Sequence, residues 1–268
     1  RPLHSPRRRQ RQMCIRDSSL VPFASRQKIT KVLQGAILSN MFFEPSTRTR
    51  ISFGSAFNML GGEVRETTEI EATSLAKGES LYDTSRVLSG YSDVIVMRHP
   101  LAGSVAEFAE ASRVPVINGG DGDNEHPSQA LLDLFTIKKE LESHNKKLDT
   151  VRIALIGDLK FGRAAHSLCK ILMLYTNISI KLVSPDKLRL PDFLINEFKK
   201  NNISILETQD IKEGIADVDI IYMTRIQEER FKNVSEANKY KGLMSLNQEI
   251  YTKTVSYTHL TLPTTCSV

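Results

Sequence analysis

The sequence predicts an α/β protein of two domains, each a mostly parallel sheet flanked by helices, with an active site in the cleft between them. Three observations carry this. Short apolar runs alternate with helix-spaced segments from residue 35 to about 120, and again from Val151 to Met223. A long helix opened by Pro127 separates the two series, as a connector would. The distinctive polar residues fall at strand-to-helix junctions, where ligands bind in parallel sheets.

The first strand is set at 36–42 by Ala36, Ile37, Leu38 and the run Met41 to Phe43. Phe53, Ala56, Phe57 and Leu60 then recur at helical spacing. Between them lies Glu44-Pro45-Ser46-Thr47-Arg48-Thr49-Arg50, so the helix begins among three hydroxyls and two guanidinium groups. The first N–H groups of a helix lack intrahelical partners, and the positive dipole end disfavours basic residues. A capped, solvated turn is the plainer reading. Two arginines at that end favour a cradle for a phosphate or another dianion.

Gly61-Gly62 stops the helix, and 63–67 is extended. The polar loop 69–78 carries Ser74 and Lys77, which by themselves read as solvated. A helix over 79–88 leads to the apolar strand 93–97, which ends at Arg98-His99-Pro100. A helix near 105–111, a strand at 114–118 and a loop over 119–126 follow. His126-Pro127-Ser128-Gln129 opens the connector helix, with Pro127 suited to its first turn.

The second series starts with a strand at 151–156. The junction 157–163 leads into a helix through Leu174. Strands at 178–183 and 203–206 flank a helix at 191–199, and a strand at 218–223 ends at Thr224-Arg225-Ile226-Gln227. The domains are therefore drawn at 19–142 and 143–254. Residues 1–18 and 255–268 have no apolar periodicity, look non-native and are set aside from the fold.

Hydrophobic content of 40% and charged content of 25% are those of a globular protein. No apolar run approaches the ~20 residues that span a bilayer. Six arginines and Asp17 in residues 1–18 account for the whole formal charge of +5. The remainder is neutral, which speaks against a nucleic-acid-binding field. Cys14 and Cys266 lie in the two ends, leaving Cys169 on the apolar face of a helix. One packed thiol suggests neither a disulfide framework nor a zinc site, and a reducing compartment, the cytoplasm, is expected.

Other chemistries fit less well. Gly157 to Gly162 follows a strand, but the spacing is not that of a dinucleotide loop, and Leu159-Lys160-Phe161 fills the place where a pyrophosphate must approach. No phosphate-binding Gly-Lys-Ser/Thr follows. His126 stands near Asp121, Asp123 and Glu125, yet nothing completes a metal set. A packing histidine or a neutral donor to a carbonyl oxygen suits it better, since the helix dipole favours the uncharged ring. Arg163 and Arg225 are surface ion-pair arginines on the plain reading. At matching strand-end positions they also suit a substrate carboxylate.

Phe43-Glu44-Pro45-Ser46-Thr47-Arg48-Thr49-Arg50, Arg98-His99-Pro100, His126-Pro127-Ser128-Gln129 and Met223-Thr224-Arg225-Ile226-Gln227 resemble, in order and spacing, the aspartate/ornithine transcarbamoylase family. The likeness covers residues 20 to 254. Glu44-Pro45 and Thr224-Arg225-x-Gln227 favour the aspartate branch over the ornithine branch.

The resemblance implies carbamoyl transfer from carbamoyl phosphate to the amino group of L-aspartate, an early step of pyrimidine synthesis, without metal or organic cofactor. It implies that Ser46, Thr47, Arg48 and Thr49 hold the phosphate, while Arg98, Thr49 and His126 polarise the carbamoyl oxygen and Gln129 takes the carbamoyl amino group. Ser74 and Lys77 would reach a neighbouring subunit's site in a homotrimer. Lys77, Arg163, Arg225 and Gln227 would grip aspartate. No nucleic acid or membrane partner is implied, and regulatory chains are left open.

The family's His-Pro-Leu-Pro-Arg loop, expected soon after 254, is not matched by Leu262-Pro263, and no role is carried onto it. The rival readings are a transcarbamoylase with another amine acceptor, and a non-catalytic fragment or assembly partner.

Overall fold

The computed structural model describes residues 19–68, 74–231, 238–240, 242 and 244. The two terminal segments set aside above, with Cys14 and Cys266, lie outside the described residues, as does 69–73 of the polar loop. The chain divides into two compact units. One holds the residues up to Thr136 together with His166–Leu174; the other holds Ile137–Ala165 and the residues from Tyr175 onward. The division falls inside the connector helix and not at its end.

In the first unit the elements run β1 (Ile37–Phe42), α1 (Thr47–Met59), β2 (Glu63–Thr67), a 3-10 turn (Ser74–Lys77), α2 (Leu81–Leu88), β3 (Val94–His99), α3 (Ser104–Ala111) and β4 (Val116–Asp121). Helix α4 (Pro127–Ser143) follows. All pairings are parallel, in the order β2-β1-β3-β4. Successive side chains of β1 face opposite ways. Leu38 and Phe42 pack with Val96, Phe53 and Phe57. Met41 and Phe43 pack with Ile95, Met97, Val105 and Phe108. Both faces are thus apolar and covered, as a parallel sheet requires.

Two boundaries differ from expectation for local reasons. Helix α2 starts at Leu81 and not at Glu79, because the Ser80 hydroxyl caps it by accepting the Asp83 N–H at 3.0 Å. Strand β4 runs on to Asp121, whereas a loop was expected from 119. Gly119 and Gly120 carry no side chain to signal a strand, yet His99 pairs with Asp121 across a register shift.

The second unit contains β5 (Arg152–Ile156), β6 (Ser179–Val183), α6 (Asp192–Lys200), β7 (Ser204–Thr208), α7 (Ile211–Ile215) and β8 (Ile220–Met223). Helix α5 (Arg163–Leu172) begins in this unit. The sheet is parallel in the order β7-β6-β5-β8. Ala154, Ile156, Val183 and Ile215 form a core under α7, a short helix that the sequence pattern did not mark. Cys169 is fully buried, and that burial pushes its thiol up to about 12, so it is an unreactive packing group.

In each sheet the chain moves outward from one strand and then returns to that strand's other side. The reversal lies between β1 and β3 in the first unit, and between β5 and β8 in the second. Such reversals open a crevice at the carboxyl ends of the strands, where ligands bind. The loops after Phe42, His99, Ile156 and Met223 stand at those two places. Among the described residues, no helix is long and apolar enough to cross a membrane.

Candidate functional site

Strands β1 and β3 pair with Phe42 opposite Arg98, and the Phe43 N–H donates to the Arg98 carbonyl at 2.9 Å. This register sets the Glu44–Thr49 turn beside Arg98. The Arg98 side chain is buried, 8% exposed, so its charge needs partners. Its Nε lies 3.0 Å from Glu44 Oε2 as an ion pair. Its Nη1 donates to the Gly119 carbonyl at 3.3 Å and lies 3.2 Å from His126 Nε2. Gly120 makes room for this approach. A Cβ there would sit 3.0 Å from Arg98 Nη1, and its φ of +134° suits glycine alone.

His126 is also buried, and its tautomer follows from its neighbours. A guanidinium only donates, so Nε2 accepts, and the ring proton sits on Nδ1, 3.2 Å from the Ser128 hydroxyl. The sequence suggested a neutral donor there. The ring is not, however, a free donor at Nε2, because in this state that nitrogen receives Arg98.

Ser46 takes the N-cap position of α1 with extended backbone, φ −162° and ψ 96°, but its hydroxyl makes no capping bond. Thr47 and Arg48 are exposed at the same end, and Thr49 is half-buried. Arg50 does not share the cradle. It forms an ion pair with Glu66 of β2, and Asn40 bonds both the Arg50 carbonyl and Glu66. Residues two apart on a helix do not face each other, which separates Arg50 from Arg48.

Gln129 lies in the first turn of α4 and donates from Nε2 to Asp133 Oδ1 at 2.8 Å. Ser74 opens the 3-10 turn and Lys77 ends it, exposed. Asp121, once weighed as a metal ligand, is occupied otherwise. It accepts the Gly103 N–H at 3.0 Å and the Val105 N–H at 3.4 Å, at the start of α3. His99 stacks edge-on against Phe43 and accepts the Leu101 N–H at 3.1 Å. Burial is the largest influence on its pKa and lowers it, against the pull of nearby acids, Asp121 first.

In the second unit Asp158 does the positioning. Its carboxylate is fully buried and accepts the Phe161 N–H at 3.0 Å and the Gln227 N–H at 3.1 Å. Its carbonyl accepts the Thr224 hydroxyl at 3.2 Å. The loop before Arg163 is thereby joined to the loop carrying Arg225 and Gln227. Gly157, at φ +117°, permits the contact, since a Cβ there would lie 2.2 Å from the Thr224 carbonyl oxygen. Arg225 is exposed and donates from Nη1 to the Ile226 carbonyl, while Arg163 is half-buried at the start of α5.

The sequence reading did not single out Glu44, Asp133 or Asp158 for their contacts. The signals were present: an acid two residues past the end of an apolar strand at positions 44 and 158, and an acid four residues beyond Gln129.

Comparison with known proteins gives this geometry a family. Residues 8–139 match the profile of the aspartate/ornithine carbamoyltransferase carbamoyl-P binding domain, and residues 149–260 match that of the Asp/Orn binding domain. The chain belongs to the aspartate/ornithine carbamoyltransferase family. The matched stretch reaches into both ends that the sequence reading set aside. Within the family, the catalytic subunit of aspartate carbamoyltransferase from Cellvibrio japonicus is 63% identical over 235 residues, which are 88% of this chain and 70% of that protein. The corresponding subunit of Saccharophagus degradans is 62% identical over the same shares. Among solved structures, the catalytic subunit of Methanocaldococcus jannaschii aspartate transcarbamoylase superposes with a TM-score of 0.80 at 43% identity, over 91% of this chain and 78% of that one. The Trypanosoma cruzi enzyme in complex with carbamoyl phosphate gives 0.79 at 36% identity, over 89% and 76%.

Proposed function

We propose that the chain is an aspartate carbamoyltransferase, transferring the carbamoyl group of carbamoyl phosphate to the amino nitrogen of L-aspartate. The observation that carries this reading is the Arg98 guanidinium, buried at the β1/β3 switch point against Glu44 and His126. A buried cation at a strand end beside an open helix N-terminus suits a dianionic acyl phosphate.

In this reading Ser46, Thr47, Arg48 and Thr49 take the phosphate at the N-terminus of α1. The uncapped Ser46 hydroxyl and the exposed Arg48 support that. Arg98 and Thr49 donate to the carbamoyl oxygen, His126 steadies Arg98 by accepting from its Nη1, and Gln129 meets the carbamoyl amino group. Arg163, Arg225, Gln227 and Lys77 hold the two carboxylates of aspartate. The aspartate nitrogen attacks the carbonyl carbon and forms a C–N bond. The oxyanion that develops is stabilised by Arg98. The C–O bond to phosphate then breaks, and phosphate leaves with the proton lost by nitrogen. Positioning and charge stabilisation supply the rate.

The reading extends to a cytoplasmic homotrimer in which Ser74 and Lys77 serve a neighbouring subunit, and the exposure of Lys77 supports this. Phosphate release from carbamoyl phosphate, measured with L-aspartate and with L-ornithine, tests the proposal. Release with aspartate alone is expected. Release with ornithine, or with neither, would contradict it.

A further inference from the structure

Gln129 and Asp133 stand one turn apart on α4, joined by the 2.8 Å bond from the glutamine Nε2 to the carboxylate. A carboxylate offers only acceptors, whereas an amide offers a donor at one end and an acceptor at the other. The amide nitrogen is therefore committed to Asp133, and Oε1 is the end turned from it. The flipped amide would set oxygen against a carboxylate oxygen, which is repulsive.

We infer that Asp133 is a positioning residue that fixes Gln129 as an acceptor, and so selects a carbamoyl group over an acyl group of the same shape. The inference rests on the functional reading given above, in which Gln129 meets the carbamoyl amino group. That –NH2 donates to Oε1. An acetyl group puts a methyl of nearly the same size there, which cannot donate and leaves Oε1 unmatched. A site built to hydrogen-bond a substrate N–H rejects the analogue that lacks it. A Gln129 free to flip would lose this discrimination, since either end could face the substrate.

The experiment compares carbamoyl phosphate with acetyl phosphate as acyl donors to L-aspartate, by kcat/KM, in wild type, Asp133→Asn and Asp133→Ala. Asparagine keeps the size of Asp133 but can pair with either end of the Gln129 amide. The ratio of the two donors is independent of how much of each preparation is folded. The expected result is a fall of about tenfold in that ratio in both variants, through loss of carbamoyl phosphate use with acetyl phosphate little changed. Equal losses for both donors would make Asp133 a helix-supporting residue only and overturn the inference, as would an unchanged ratio. If wild type itself showed no aspartate-dependent turnover of carbamoyl phosphate, the functional reading would fail and this inference with it.

Discussion

At the β1/β3 switch point, side chains hold side chains: Arg98 is fixed between Glu44 and His126, and His126 in turn faces Ser128. At the β5/β8 switch point one carboxylate holds backbone. Asp158 ties the Phe161 and Gln227 amides together, while Arg225 reaches out from the joined loops into solvent. In the proposed reaction the first arrangement preorganises charge for the oxyanion. The second preorganises the loop that carries its charges. Removing a member of the first should abolish chemistry, whereas disturbing the second should weaken binding and stability.

Arg98→Ala sharpens the contrast most. It removes the buried cation and leaves Glu44 without it. Turnover should fall by roughly a hundred- to a thousandfold, as read in steady-state kcat, while far-ultraviolet circular dichroism stays that of the wild type. A loss below about tenfold would remove Arg98 from the oxyanion role.

Asp158→Ala comes next. It strands two half-buried N–H donors, and unfolding in urea should show a loss of about 2–4 kcal/mol. KM for aspartate should rise more than KM for carbamoyl phosphate. Equal shifts would break the division of labour between the two loops.

The smallest effect lies away from both loops, at Asp219. Burial pushes its carboxyl up, but hydrogen bonds from Arg152 and Lys146 outweigh this and bring it from 3.8 to about 2. A folded-state pKa below the unfolded one stabilises the fold above the unfolded value. The advantage of wild type over Asp219→Asn should therefore be complete above about pH 4 and fade towards pH 2. Unfolding midpoints measured across that range check it, and an advantage that grew on acidification would contradict the assignment.

Much of this was legible beforehand for physical reasons. Buried parallel strands read as continuous apolar runs, so 93–97 and 151–156 stood out, and the hydroxyl-rich turn at 46–49 announced a helix start. Sheet order was not legible, because no residue pattern states which strand sits beside β1 or β5. Strand β4 was cut short in the reading since Gly119 and Gly120 precede its last residue. The separation of Arg48 from Arg50 depends on Glu66, sixteen residues further on and brought near only by the β1/β2 pairing. Asp158 looked like one more loop acid until Thr224 and Gln227, nearly seventy residues away, came into place.

The most direct test is a full two-substrate kinetic analysis of Arg48→Ala and Arg225→Ala side by side. The account predicts that Arg48→Ala raises KM for carbamoyl phosphate and lowers turnover by orders of magnitude. It predicts that Arg225→Ala raises KM for aspartate by roughly ten- to a hundredfold, with carbamoyl phosphate nearly unaffected. If each variant impaired both substrates equally, the assignment of one loop to each substrate would be wrong.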